Sequence, residues 1–563
     1  MNKQLIECVP NISEGKDEAK IKAITSVIET VEGVKLLDVD PGKATNRTVI
    51  TFVGEPKQVI EAAFLVIKKA AELIDMSKHS GAHPRFGATD VCPLVPISGI
   101  TMEETVKYAH QLAKRVGEEL KIPVYCYEYA ASEEKRKNLA NCRSGEYEGL
   151  KEKLVNPAWK PDFGPAAFTE SVKTTGAIAI SARDFLIAYN VNLNTTSTRR
   201  ANAIAFDIRE AGRGKTEDGT PNGKKVLDKN SEQIRIPGKL KAVKGIGWYI
   251  EEYGIAQISY NLTNINITSI QVAFDESDKM ATERGLRVTG SELIGLIPLK
   301  AMLAAADYYL IKQQRSLGCS ESEKIKIAIK SLGLDDLKPF HPKEKIIEYL
   351  LEDDTKKLID LNLKEFADET AGESMAPGGG SIAAYVGTLG VSLGTMVANL
   401  SSHKAGWDER WEEFSDWAVK GQAYKTTLIQ LVDEDTNAFN KIIDGFRMPK
   451  NTIQEKEIRT AAIEEATKYA TQIPFKVMET AYNSMEVAQA MLKDGLPSSL
   501  SDAAVGILCA KAAVTGAYFN VKINAKNIKD RSFAEDVIKR GAEIYQKTIK
   551  IEQETIDLIN SKM

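Results

Sequence analysis

Signals for β-strands stop near residue 343, and that change of character constrains the fold more than any other property of the chain. From Glu344 to the C-terminus, long amphipathic helical runs follow one another, the pattern of an all-α bundle. Before that point, short β-rich runs alternate with helical ones, the pattern of α/β layers. With 563 residues there is ample chain for several cores. The expected architecture is therefore multidomain. Residues 1–180 and 181–326 form two α/β lobes, with βαβ-rich sheets and helices on the outer face. Residues 327–343 form a linker, and residues 344–563 an all-α helical-bundle domain.

The stretch Lys78–Ile97, KHSGAHPRFGATDVCPLVPI, organises the first lobe. Pro56–Met76 before it has apolar residues at helical spacing, and Thr89–Ile97 reads as a buried strand whose Pro93 and Pro96 mark an edge or an end. His79 and His83 thus fall on a helix-to-strand connection broken by Gly81, Pro84 and Gly87. His83 has three readings: a loop histidine bonded to backbone, a metal ligand with His79 at i, i+4, or a general acid–base group. Gly81 and Pro84 argue against the helix that the metal reading needs. Between two earlier strand runs lies DVDPGKATNRT, where Asp38, Asp40, Asn46 and Arg47 crowd one turn. They make either a polar turn with a surface ion pair or a second wall of the His83 site. Two similar-sized lobes invite a ligand cleft between them. The Pro-rich run NPAWKPDFGP (156–165) reads as a linker between the lobes or a lid over that cleft, and VTGSELIGLIPL as a turn before a helix.

In the second half, Ala376–Ser402 carries no charged side chain and is long enough to span a bilayer. It opens on Pro377-Gly378-Gly379-Gly380, and its small residues Ala383, Gly387, Gly390 and Gly394 suit close helix approach. With no other such segment expected, it reads as the central helix of a soluble bundle. Its glycine turn either presents backbone N–H groups to an anion or is a plain turn with Ser381 as N-cap. Over Tyr424–Phe446 the apolar stripe runs Tyr424, Leu428, Leu431, Ala438, Phe439 and Ile442. Asp435 continues that stripe, while Asp433 and Glu434 fall toward solvent. A carboxylate on a buried seam must be paired, hydrogen-bonded or shifted in pKa, so Asp435 is either a structural pair member or an acid–base group.

Charge excludes some functions. There are 74 basic against 78 acidic residues, net −4, with no dense Lys/Arg run, so no nucleic-acid partner is expected. Six scattered cysteines without a CxxC pair fit free thiols in a reducing compartment. The N-terminal MNKQLIECVPNISEG lacks the apolar core of a signal peptide, so a cytoplasmic location without membrane attachment is expected.

Taken together, ECVPNISEG, DVDPGKATNRTVITFVG, HSGAHPRFGATDVCPLVPI, GEYEGL, PDFGP, FLIAYNVNL, REAGRG and RVTGSELIGLIPL in the first half, with APGGGSIAAYVGTLGVSLGTMVANL and VDEDTNAFNKIIDGFRMPKN in the second, resemble a known family. It is the family in which glutamate formimidoyltransferase is fused to formimidoyltetrahydrofolate cyclodeaminase. The resemblance implies that the first half moves the formimino group of N-formimino-L-glutamate to N5 of tetrahydrofolate. The second half then closes the ring to 5,10-methenyltetrahydrofolate with loss of ammonia, as a step of histidine degradation. It puts the catalytic histidine at His83, a folate-contacting segment at Gly164, Pro165, Ala166, Ala167 and Phe168, and the cyclodeaminase carboxylate at Asp435. Substrate contacts are then expected from Asp38, Asp40 and Arg47, and folate contacts in the second half from Pro377, Gly378, Gly379, Gly380 and Ser381. Tetrahydrofolate, as a polyglutamylated co-substrate, is the expected cofactor, no metal is required, and a homo-oligomer is implied. The chain departs from the family pattern at SARDFLIAYN, where Ser181 and Asp184 replace a glycine and a base. A transferase with a helical dimerisation or scaffold module, and a folate-binding protein without turnover, are the alternatives.

Overall fold

The structure is a computed structural model that describes residues 4–42, 46–80, 85–220, 223–229, 231–351 and 357–562. The chain divides into two compact units. The first holds residues 1–302 with 332–352, and the second holds residues 303–331 with 353–563.

In the first lobe of the first unit, β1 (Leu5–Cys8) and β2 (Asn11–Ile12) share one line, interrupted at Val9-Pro10. The helix α1 (Glu18–Thr25) leads to β3 (Val34–Gly42) and β4 (Arg47–Gly54), then α2 (Pro56–Leu73), β5 (Thr89–Ser98), α3 (Met102–Glu119), β6 (Val124–Glu128) and β7 (Ile178–Ala182). The spatial order is β3-β4-(β1/β2)-β5-β7-β6, antiparallel as far as β5 and parallel from β5 to β6. Its first four positions make a split βαββαβ unit. Side-chain alternation separates the two faces. Ile50, Phe52, Cys92, Leu94, Cys126 and Ile180 pack under α2 and α3, whereas Val91, Tyr125, Tyr127 and Ala179 face a smaller cluster with Phe86 and Leu150.

Pro93 and Pro96 do not mark an edge: β5 is central. The missing N–H groups are tolerated because Pro93 lies opposite the break between β1 and β2, and Pro96 lies beyond the last residue matched with β7. The segment 156–165 is neither linker nor lid. Val124 N–H donates to Phe163 O (2.9 Å), and Asp162 accepts from Cys126 N–H (2.8 Å), Ser132 and Arg136 (both 2.6 Å), so the run folds back onto the first lobe.

The second lobe repeats the split motif with β8 (Ile187–Leu193), α4 (Thr198–Ile208), β9 (Val243–Ile250), β10 (Ile255–Leu262), α5 (Ile270–Thr282) and β11 (Val288–Ile294), in the order β9-β10-β8-β11. β11 corrects the expectation of a turn at VTGSELI. Val288 and Leu293 are buried, and the run pairs with β8 from Val288 to Ile294. One face of this sheet packs on α4 and α5. The other carries buried Asn190, Asn192 and Gln257, and residues 332–352 satisfy part of it: Asn192 Nδ2 donates to Asp336 (3.0 Å). On the helix-covered face, where Ser291 pairs with Val191, the same segment accepts the Ser291 hydroxyl at Leu332 O (2.6 Å).

The second unit is helical. It contains α6 (Leu299–Lys312, from Leu303) and α7 (Glu321–Leu332, to Ser331), then the long helices α8 (Gly379–Ser402), α9 (Trp411–Arg447), α10 (Ile453–Asp494), α11 (Leu500–Ala525) and α12 (Arg531–Lys562). The small residues of α8 act as expected. A Cβ on Gly390 would lie 2.7 Å from Gly506 O on α11, and one on Gly394 would lie 3.2 Å from Ala488 N on α10. A second segment, Pro497–Ala525, is also long and apolar enough to cross a membrane, contrary to the expectation of a single one. In the most apolar stretches of the two, 61% and 50% of the residues are buried within the protein. They pack on each other as inner helices of the bundle.

Candidate active sites, one in each unit

In the first unit, a cavity of about 690 Å³ lies between the lobes, with Asn11, Val91 and Arg143 on one side and Lys244, Thr263 and Asn264 on the other. Its chemistry starts from a bulge. β2 pairs Asn11 with Val91 and Ile12 with Thr89, so Asp90 is the extra residue on β5. The bulge turns a carboxylate that is 1% exposed toward two guanidinium groups. Arg47 Nη1 lies 2.8 Å and Arg143 Nη2 2.9 Å from the same Asp90 oxygen. Arg47 also donates from Nε (3.1 Å) and Nη2 (2.9 Å) to Asn11 Oδ1. Burial pulls the Arg47 pKa below its ordinary value, Asp90 opposes that shift, and Arg143 adds to it. On the far wall, Asp184 accepts from Tyr129 OH (2.9 Å) and Asn264 Nδ2 (2.6 Å). Ser181 is fully buried against the Tyr127 phenol, whose pKa is pushed up to about 12 by burial.

His83 lies outside the described residues. The chain on either side of its loop is anchored. Asn46 Nδ2 donates to Ser80 O (2.8 Å), Asn46 Oδ1 accepts from Gly15 N–H (3.0 Å), His79 Nε2 is 2.9 Å from Asn46 O, and Arg85 Nη1 donates to His79 O (2.9 Å). Asn46 holds a left-handed φ of 49°, which suits its residue type.

Asp38 and Asp40 are not in a turn with Arg47. They lie on β3, opposite Thr51 and Val49, and line a separate cavity of about 380 Å³ with Lys338 and Lys345. Burial, then the neighbouring Asp40, push the Asp38 pKa up, and Lys345 offsets part of the shift. The turn expected there is strand because β3 keeps its pairing as far as Gly42 opposite Arg47. Gly164 (φ +84°) sits against Ile122 O, where a Cβ would approach to 2.2 Å; Pro165 is half-buried, and Ala166 and Ala167 are exposed. Phe168 packs on Tyr147 (6.4 Å between centroids), and Tyr147 lies beneath the Arg85 guanidinium. Residues 164–168 are not among those lining the 690 Å³ cavity. Asp90 and Arg143 are the groups that sequence reasoning missed. Asp90 had a signal of its own, as the single charge in the apolar run ATDVCPLVPI.

In the second unit, Asp435 meets the N-terminus of α8. Gly378 is the N-cap, so Ser381 stands inside the helix rather than at its cap. Ser381 N–H donates to Asp435 Oδ2 at 2.9 Å, and its hydroxyl lies 3.3 Å from the same oxygen and 2.8 Å from Val432 O. A Cβ on Gly380 would fall 2.1 Å from Asp435 Oδ1, so glycine there is what admits the carboxylate. Burial pushes the Asp435 pKa up, while the two hydrogen bonds from Ser381 pull it back. The Pro377–Ser381 turn thus already receives an anion, the protein's own carboxylate. Asp433 and Glu434 do not face solvent freely: Asp433 accepts from Leu358 N–H (2.7 Å) and Glu434 from the Tyr469 hydroxyl. Leu428, Leu431 and Ala438 are buried as the stripe requires, but Phe439 is 37% exposed. His403 Nε2 accepts from Ser316 N–H (3.2 Å), a structural use.

A cleft between α/β lobes in the first unit and a buried carboxylate at a helix N-terminus in the second are candidate centres for two chemical steps, the arrangement of a two-centre enzyme. Comparisons with known proteins agree. Family profiles described as "Formiminotransferase domain, N-terminal subdomain", "Formiminotransferase domain" and "Formiminotransferase-cyclodeaminase" match residues 5–183, 188–352 and 362–543. The formimidoyltransferase-cyclodeaminase of Mus musculus is 42% identical over 96% of this chain and 96% of its own length. The glutamate formimidoyltransferase of Streptococcus pyogenes serotype M1 is 40% identical over 54% of this chain and 93% of its own. The methenyltetrahydrofolate cyclohydrolase of Methylorubrum extorquens is 31% identical over 36% of this chain and 97% of its own. The chain belongs to the formimidoyltransferase-cyclodeaminase family and is a bifunctional enzyme, a transferase followed by a cyclodeaminase.

Proposed function

We propose that the first unit transfers the formimino group of N-formimino-L-glutamate to N5 of tetrahydrofolate, and that the second cyclodeaminates the product to 5,10-methenyltetrahydrofolate and ammonia. In transfer, N5 attacks the amidine carbon, the carbon–nitrogen bond to glutamate breaks, and a proton passes from N5 to the departing amine. His83 is the assigned proton carrier, a role that contributes about a hundredfold to ten-thousandfold. In cyclisation, N10 attacks the same carbon of the amidinium, and the N10 proton goes to the nitrogen that leaves as ammonia. Asp435 carries that proton. A carboxylate held partly desolvated at a helix N-terminus can both accept it and return it. The observation that supports the second step most is the seating of Asp435 on Ser381, in the space that Gly380 leaves open. The same reading places the enzyme in histidine degradation in the cytoplasm, as a homo-oligomer using polyglutamylated folate.

The test follows ammonia and methenyl-folate absorbance from N-formimino-L-glutamate and tetrahydrofolate. Replacing His83 with Ala is expected to abolish transfer yet leave cyclisation of supplied 5-formimidoyltetrahydrofolate intact. Asp435→Asn is expected to reverse that outcome, accumulating the formimino-folate. Equal loss of both activities in either variant sinks the division of labour.

A further inference from the structure

We propose that the second lobe carries a further binding site over the outward face of α4, for a ligand of the nucleotide class: a phosphorylated molecule with a flat aromatic ring. The site goes beyond transfer and cyclisation and rests on neither assignment.

Between α4 and β9 the chain makes a long excursion, residues 213–236, which adds no strand to the four-stranded sheet. Connections of that length are commonly functional. The excursion is a ribbon of its own: Arg213 and Gly214 pair with Ile236 and Arg235, and bridges join Thr216 to Lys225 and Leu227 to Gln233. Ala201, Ile204, Ala205 and Ile208 of α4 are buried against the sheet, which leaves Arg199, Ala203 and Phe206, spaced i, i+4, i+7, on the face toward the ribbon. Between helix and ribbon lies a cavity of about 610 Å³, a size typical of small-molecule sites, and it shares no lining residue with the inter-lobe cavity.

Arg199, Arg200, Arg213, Lys225 and Arg284 line this cavity, with no acidic residue among the described lining. Arg213 and Arg284 share the carboxylate of Asp207, which stands outside the lining and fixes both guanidinium groups. Arg200 donates to Arg284 O at 3.5 Å. The side chains of Arg199 and Lys225 have no ion pair among the described residues. Four guanidinium groups and an ammonium around one space suit phosphate, which offers more charge and more acceptor oxygens per centre than a carboxylate. The rest of the wall includes Ala203, Phe206 and Ile236, the last 48% exposed. A ligand that is charged throughout would leave that apolar surface wet, whereas an aromatic ring laid on it removes it from water.

The test titrates full-length protein with ATP, inorganic pyrophosphate and tri-γ-L-glutamate by isothermal titration calorimetry. ATP is expected to bind saturably at one such site per chain, more tightly than pyrophosphate, with tri-γ-L-glutamate the weakest. Arg199→Gln and Lys225→Gln should each raise the Kd for ATP ~10- to 100-fold, the size of one charged hydrogen-bonding pair, at an unchanged unfolding midpoint. Phe206→Leu should raise it ~5-fold or more and leave pyrophosphate binding as it was, because only the ring contact is lost. Should Phe206→Leu fold poorly, the two cation variants and the ATP-to-pyrophosphate ratio decide the question. No saturable ATP binding, ATP binding unaltered in both cation variants, pyrophosphate binding as tightly as ATP, or tri-γ-L-glutamate binding more tightly than ATP overturns the proposal. Each of these results leaves the two-step folate chemistry standing.

Discussion

Glu7 on β1 is a carboxylate in an apolar strand, 4% exposed, and burial pushes its pKa from 4.5 up to about 7, with Arg183 lowering it and Glu348 raising it. Below pH 4.5 both folded and unfolded chains hold the proton, and nothing is lost. Between 4.5 and about 7 the folded chain keeps a proton that the unfolded chain has released, so stability falls as pH rises. Above that window the cost levels off at about 3 kcal/mol, an upper-end figure for a shift of that size. Glu7→Gln removes the charge but keeps the shape. Its stability relative to wild type is expected to improve between pH 5 and pH 8 by up to ~3 kcal/mol in denaturant unfolding. A pH-independent difference would mean that Glu7 does not titrate in this window. Asp435 differs in kind, because its buried charge is partly repaid by hydrogen bonds from a helix N-terminus.

At the level of elements, two glycines of α8 separate packing from chemistry. The Cβ of Gly390→Ala would press on the Gly506 carbonyl at 2.7 Å and the Ala510 nitrogen at 3.0 Å, both backbone, so α8 and α11 must move apart. A loss of about 1–3 kcal/mol is expected. Gly380→Ala meets the Asp435 carboxylate instead. It should displace that side chain and remove ammonia release, with transfer at full rate. Thermal unfolding and the two activity assays tell the variants apart: a selective loss of cyclisation in Gly390→Ala, or its retention in Gly380→Ala, contradicts this account. The β5 bulge is the corresponding device of the first unit. Without the extra residue, Asp90 would follow the alternation of Cys92 and Leu94 and face the apolar layer beneath α2 and α3.

For the whole molecule, the first unit is discontinuous in sequence, since residues 332–352 return to it after 303–331 have joined the helical unit. That return supplies Asp336 to Asn192 (3.0 Å) and Thr289 (3.1 Å), and Gly333 O to Ser291 N–H (2.9 Å). Asn192 is fully buried, and leaving such a group without its partner costs about 1–3 kcal/mol. A chain ended at Met302 is therefore expected to unfold more readily than one carried through Leu351, and to transfer less at 37 °C. Equal midpoints for the two truncated chains would show that the returning segment contributes nothing.

Local periodicity was enough to place a multidomain α/β half before an all-α half, to find most helices and strands, and to set Asp435 on a buried seam, because these depend on side chains a few residues apart. It read Pro93 and Pro96 as marking an edge or an end, whereas β5 is central and only Pro96 lies near its end; it read β11 as a turn, and it gathered Asp38, Asp40 and Arg47 into one cluster. Strand order decided those points. β5 became central because β1/β2 and β7 flank it, and Arg47 turned from its sequence neighbours to Asp90, 43 residues further along, because β4, β2 and β5 lie side by side. A charge in an apolar strand, such as Glu7 or Asp90, is visible in sequence as an anomaly. Which partner neutralises it, and so what it can do, is a contact between distant segments that only the assembled sheet brings within hydrogen-bonding range.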